Sequence, residues 1–168
     1  MSKHIQKLLD KSDITDNLYR YCRCVDRLDP ELGYSIWSSN SVADYGDFYQ
    51  GNGPGVIDLI CSQHKQLLTH SHQMSNILLE VQGDTAASES YVTATLRINK
   101  NNQIMQMTVW SRYIDSWTKE HGRWLLNKRI AIRDLDEIRP VTPITQKYGG
   151  ARDSSDPSYA EVWQDPTA

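Results

Sequence analysis

HQMSNILLEVQ (72–82), AASESYVTATLRIN (86–99), QIMQMTVWSRYIDSWTK (103–119) and RWLLNKRIAIRD (123–134) follow one another with only short polar gaps, at Gly83-Asp84, Lys100 to Asn102 and Glu120 to Gly122. All four are rich in Val, Ile, Thr, Tyr and Trp, the residues that suit a pleated and half-buried surface. They predict four antiparallel strands joined by tight turns. Two of the four are long, and long strands twist; a twisted sheet curling against helices makes a cone with an internal pocket.

Upstream of the strands the hydrophobic period becomes helical. Ser12 or Asp13 caps a predicted helix whose apolar stripe is Ile14, Leu18, Tyr21, Cys22 and Val25, with Asp16 in its first turn and an end near Leu28. Asp29-Pro30 breaks it, and Pro30 suits the first turn of a short second helix carrying Leu32, Ile36 and Trp37. Val42, Tyr45, Gly46, Phe48 and Tyr49 predict a strand or irregular hairpin over 41–50, ended by Gly51-Asn52-Gly53-Pro54-Gly55. A third helix then keeps its period through Val56, Ile57, Ile60, Cys61, Gln63, His64, Leu67 and Leu68 to about His70. The fold class is α+β: N-terminal helices packed on a curved, mainly antiparallel sheet that encloses a pocket.

The 168 residues suit one domain with a sizeable core, assigned to 1–138. After Arg139 the chain turns to Pro140, Pro143, Gly149-Gly150, Asp153 to Asp156, Pro157 and Pro166, so 139–168 reads as an extended tail. Tyr148, Tyr159, Val162 and Trp163 are too apolar for a purely solvated tail. Part of it is therefore expected to dock, as a short helix on a neighbouring subunit.

A net charge of −3 and a pI near 5.9 supply no basic face for phosphates, so nucleic acid is not an expected partner. Apolar runs such as Ile77 to Leu79 fall far short of a bilayer span, and the first residues lack a signal-peptide core. No membrane is expected, and the expected location is cytoplasmic. Cys22, Cys24 and Cys61 cannot all pair within one chain and lack zinc-knuckle or thioredoxin spacing. They read as reduced, packed thiols.

Three residues are candidates for chemistry, although Asp26 or His72 taken singly reads as a satisfied structural group. Tyr21 lies in the first helix's apolar stripe and Asp26 stands one turn after Cys22, beside that stripe. A carboxylate there needs partners, which an arginine, backbone amides or an imidazole can equally supply. His72 stands where the third helix hands over to the first long strand, and His70 shares its face if both are extended. The His-x-His spacing invites a metal, yet no further cluster offers a third or fourth ligand, so neither metal nor other cofactor is expected. A carboxylate on one imidazole nitrogen fixes the tautomer and leaves the other nitrogen to take a proton, while a phenol in an apolar pocket can donate to a carbonyl or a departing hydroxyl. On the last strand Arg129 and Arg133 share a side, which a regular strand puts both in or both out; they are the candidate substrate-binding cations.

The segment Tyr21-Cys22-Arg23-Cys24-Val25-Asp26, the helix–turn–helix around it and His72 at the start of the first long strand resemble the NTF2-like superfamily, in its SnoaL-like branch of scytalone and bile-acid dehydratases. The likeness in architecture runs from about Ile14 to Ile138. It implies an NTF2-like cone and an active site of Tyr21, Asp26 and His72, with Arg129 or Arg133 near substrate. Members of the branch that remove hydrogen chloride carry a lysine five residues before the aspartate, where Tyr21 stands here, so the dehydratase comparison is favoured.

The resemblance thus implies a lyase acting without a cofactor on a cyclic or steroid-like small molecule. Isomerisation in the manner of ketosteroid isomerases, loss of halide and a non-catalytic binding or assembly role are the alternatives. An open curved sheet leaves an apolar outer face, for which Val109, Trp110 and Trp117 are candidates, and the resemblance suggests a homotrimer, with a dimer as the alternative.

Overall fold

A computed structural model describes residues 2–145 and 149–161. Helix α1 (Lys3–Arg27) is capped by Ser2, whose hydroxyl accepts from the Ile5 amide, and ends at Leu28 in the left-handed region (φ 54°), whose amide returns to the Cys24 carbonyl. It starts about ten residues before the expected cap. Ile5, Leu8 and Leu9 in the added turns are exposed, so no apolar stripe betrays them. The extension is held by polar contacts instead: buried Asp10 accepts from Lys119 Nζ (2.7 Å), Trp124 Nε1 (3.0 Å) and Gln6 Nε2 (3.1 Å).

Helix α2 (Pro30–Tyr34) is capped by Asp29 and stops short of Ile36 and Trp37. Trp37 instead begins β1 (Trp37–Asp44), which pairs in a hairpin with β2 (Gln50–Gly51). Its indole lies so close to Gly53 that a Cβ there would sit 2.1 Å from ring carbon Cδ2, so only glycine fits. Helix α3 (Gly53–His64) is capped by Asn52, which accepts from the Gly55 amide. It ends six residues before the expected His70, because Leu68 already donates to the Arg97 carbonyl on the sheet (2.8 Å).

The strands are β3 (Thr69–Gln82), β4 (Thr85–Lys100), β5 (Gln103–Glu120) and β6 (Arg123–Pro140). They form the expected antiparallel meander within a six-stranded sheet ordered β2-β1-β6-β5-β4-β3, in which β1 runs parallel to β6. Asn101-Asn102 and His121-Gly122 take positive φ at both central positions, as two-residue hairpin turns require. Register shifts between Ser75 and Leu78, Trp110 and Ser111, and Ser116 and Trp117 interrupt the ladders. Such bulges bend long strands, and the sheet curls around the helices without closing.

The core lies between the concave face and α1 and α3, around Ile14, Leu18, Val25, Ile57, Trp117 and Leu126. Two of the three residues expected on the outer face are therefore inside. On β5 the odd-numbered residues face the concavity: Val109 lines its wall, and Trp117 is buried with its indole N–H on Ser88 Oγ (2.9 Å). Exposed Leu135 and Ile138 of β6 are among the apolar side chains outside the core. Residues 149–161, including α4 (Pro157–Glu161), return to the chain's own α1 and α3. Tyr148, Val162 and Trp163, expected to dock, lie outside the described residues.

Candidate active site

Asp26 sits in the last turn of α1, on the flank that packs along β3. Its two oxygens take two bonds from one residue: His72 Nδ1 at 2.7 Å on Oδ1 and the His72 backbone N–H at 3.0 Å on Oδ2. A carboxylate only accepts, so Nδ1 must carry the hydrogen, and the neutral ring keeps its lone pair on Nε2. His72 lines a cavity of about 320 Å³. The pair thus presents a basic nitrogen backed by a carboxylate.

His70 shares the inward face of β3, but Nε2 is spent on the Val25 carbonyl (2.9 Å) near the end of α1, and burial pushes its imidazole below the usual range. Among the described residues no group of three or more His, Cys, Asp or Glu side chains is placed to hold a metal ion. All three cysteines are free and buried, and burial followed by the Asp26 charge pushes Cys22 up to about 12.

Tyr21 reaches the cavity from α1, and its hydroxyl is 2.8 Å from that of Tyr45, at the end of β1. The Tyr113 ring meets Tyr21 edge to face at 5.7 Å. Burial raises the phenols of Tyr21, Tyr45 and Tyr113, so all three stay protonated and able to donate. Tyr45 and Tyr113 escaped the sequence reading, where they look like ordinary strand aromatics. So did His64, the last residue of α3, which stands at a regular helical position yet lines the cavity.

The two arginines share the concave face and part in depth. A bulge at Asn127, where Ser116 pairs with Lys128 but Trp117 with Leu126, turns Arg129, Ala131 and Arg133 inward. Arg129 is fully buried and makes two bonds to Asp115 on β5, Nε to Oδ1 at 2.8 Å and Nη2 to Oδ2 at 2.7 Å. Its guanidinium lies 3.9 Å from the Tyr113 ring centre and 4.3 Å from that of Tyr21. It therefore supports the tyrosines from behind and is not part of the cavity wall, unlike the substrate contact expected of it. Arg133 does line the cavity; its side chain is 61% exposed and touches Asp136 only at 3.5 Å.

Of the other lining residues, Gln63 and Ser111 are polar and the rest, among them Phe48, Ile60, Leu67, Val92, Leu96 and Met107, are apolar. A largely apolar cavity thus brings together an imidazole backed by a carboxylate, paired phenols and a cation at the rim.

The fold and this cavity belong to the cone-shaped α+β proteins. Residues 6–130 match the SnoaL-like domain, and the chain belongs to that NTF2-like family. Among solved structures it is similar to LinA, at 18% identity over 88% of this chain and 100% of that one, with a TM-score of 0.74. It is likewise similar to the type 3 hexachlorocyclohexane dehydrochlorinase LinA of Novosphingobium barchaimii, at 17% identity over 88% and 100% of the two chains and a TM-score of 0.73. A candidate scytalone dehydratase from Novosphingobium aromaticivorans is 20% identical over 84% of this chain and 97% of that one, with a TM-score of 0.68. At such identities the likeness establishes the fold. No curated protein matches the sequence.

Proposed function

We propose that the chain is a cofactor-independent lyase of the dehydratase type, acting on a cyclic or steroid-like small molecule. The observation that carries this is the Asp26–His72 pair, whose 2.7 Å bond at Nδ1 leaves Nε2 as a base beside an apolar cavity. His72 Nε2 takes a proton from a carbon next to an activating carbonyl, and Asp26 stabilises the imidazolium that forms. Tyr21, aligned by Tyr45, donates to the activating oxygen, where negative charge develops. The carbon–oxygen bond to the leaving hydroxyl then breaks as the double bond forms, the proton passes from His72 to that hydroxyl, and water departs. Arg133 at the rim anchors a polar end of the substrate.

Loss of halide in place of water uses the same base and is the neighbouring reaction; the structural relatives that remove hydrogen chloride favour including it in the test. Incubating the protein with cyclic β-hydroxy ketones and with hexachlorocyclohexane, and reading products by mass, separates the outcomes. Loss of water supports the reading, loss of hydrogen chloride moves it to the neighbouring chemistry, an unchanged mass with a new ultraviolet chromophore indicates isomerisation, and bound but unaltered ligand would make the chain a binding module. The chain is further proposed to act as a homo-oligomer, a trimer before a dimer, through the outer face of β6 that exposes Leu135. No described helix is long and apolar enough to cross a membrane.

A further inference from the structure

The C-terminal segment 149–161 is bound at several points. Arg23 of α1 donates to Ser158 Oγ (3.0 Å) and lies 4.6 Å from the Tyr159 ring centre, Tyr159 donates to Asp29 Oδ2 (3.3 Å), and Arg27 lies 3.5 Å from Asp156. Asp156 is buried and organises the segment itself, accepting from the amides of Ala151 and Ser158 (both 3.0 Å). A further tie goes elsewhere: Arg152 Nη1 donates to the backbone carbonyl of His64 at 2.8 Å. This carbonyl, at the end of α3, also accepts from the Leu67 amide (3.1 Å), so Arg152 adds a second donor at the turn that leaves the helix. The segment is thus a strap from the end of α1, which carries Asp26, to the end of α3, which carries His64.

His64 in turn covers His72. Their rings lie 5.3 Å apart and nearly parallel, at 22°, while the His70 ring stands 4.6 Å from His64 at a tilt. Nδ1 of His64 is buried without a well-formed hydrogen bond among the described residues, and the only backbone group that favours its charged form is that of Val25, near the end of α1. Burial first, then the neighbouring His72 and His70, push the His64 imidazole down to about 3, so it lies neutral against His72 without like-charge repulsion.

We propose that His64 and Arg152 are positioning residues for His72: the strap fixes the end of α3, and the His64 ring then holds the His72 imidazole in plane with Asp26, with Nε2 left to the cavity. The functional weight of this rests on His72 being the base proposed above; the geometry it asserts does not. A flat imidazole bonded at one edge can still tilt about that bond. A second flat ring on its face removes that freedom, and a base held in the reacting geometry loses less on the way to the transition state. The strap therefore serves the site without touching substrate.

The test reads the ring directly and needs no substrate. In the full chain labelled with nitrogen-15, the Nδ1–H proton of His72, assigned by its loss in His72→Gln, is expected as one sharp, strongly downfield resonance. His64→Ala and Arg152→Ala should broaden it and speed its exchange with solvent at least about tenfold. His64→Phe, which keeps a flat ring, and Arg152→Lys, which keeps a donor, should restore it. An unchanged resonance and exchange rate in both alanine variants, with wild-type circular dichroism, would overturn the proposal, as would equal loss in Arg152→Lys and Arg152→Ala. Full turnover by His72→Ala would defeat the proposed function while leaving this result standing, so the two failures are distinguishable.

Discussion

Two acid–base pairs stand on the concave side of the sheet, one sealed in the core and one bordering the cavity. Arg129 and Asp115 face each other on β6 and β5, both side chains wholly buried, and the guanidinium is further covered by the rings of Tyr21 and Tyr113. Asp26 and His72 are tied as closely, but their side chains remain 17% and 9% exposed and the imidazole borders the cavity. The sealed pair spends its charges on one another. The open pair keeps a nitrogen in reserve, and this makes the difference between a group that holds a wall in place and a group that can act on what the wall encloses.

The largest effect should come from breaking the sealed pair. Asp115→Ala strands the Arg129 charge in the core and should cost about 3–5 kcal/mol in denaturant unfolding. Asp26→Asn, by contrast, should leave stability within about 1 kcal/mol while removing activity, because the amide cannot stabilise an imidazolium. If the two stability losses were equal, the contrast between wall and reagent would fail. Next in size is Tyr21→Phe, which keeps the ring over Arg129 but deletes the hydroxyl shared with Tyr45. It should lower kcat about tenfold or more with little change in melting temperature, since one donor to developing charge is lost.

A smaller effect separates the histidines by pH. His64 titrates near 6.5 when unfolded and about 3 when folded, so between those values the unfolded chain binds a proton that the folded chain refuses. Its contribution to stability is complete above pH 6.5 and falls as the pH drops toward 3. Melting temperatures across this window should decline less steeply in His64→Phe than in wild type. The smallest expected change is in assembly: Leu135→Asp at the exposed part of β6 should reduce the mass found by light scattering without altering the monomer's fold.

The open pair was within reach of the sequence and the sealed one was not, for a physical reason. Asp26 stands beside a strong helical stripe and His72 begins a segment of clear strand composition, so local periods place each residue, while the resemblance to the SnoaL-like dehydratases is what joins them. Arg129 meets Asp115 only through the register of β5 against β6, and that register depends on a bulge at Asn127 which no residue type announces. Hence its side of the strand was legible but its depth was not. His64 was hidden by a helix end: the apolar period runs on through Leu67 and Leu68 although the backbone turns at His64 to Leu68 to join the sheet. The start of α1 was hidden in the opposite way, because Asp10 anchors it through polar bonds where a hydrophobic pattern would have shown.

The most direct test compares wild type and His72→Ala on whichever cyclic hydroxy ketone the wild type dehydrates, following water loss by mass and the rate by kcat/KM. The account predicts a fall of about two to four orders of magnitude with the fold intact by circular dichroism. An unchanged rate in the folded variant would contradict it.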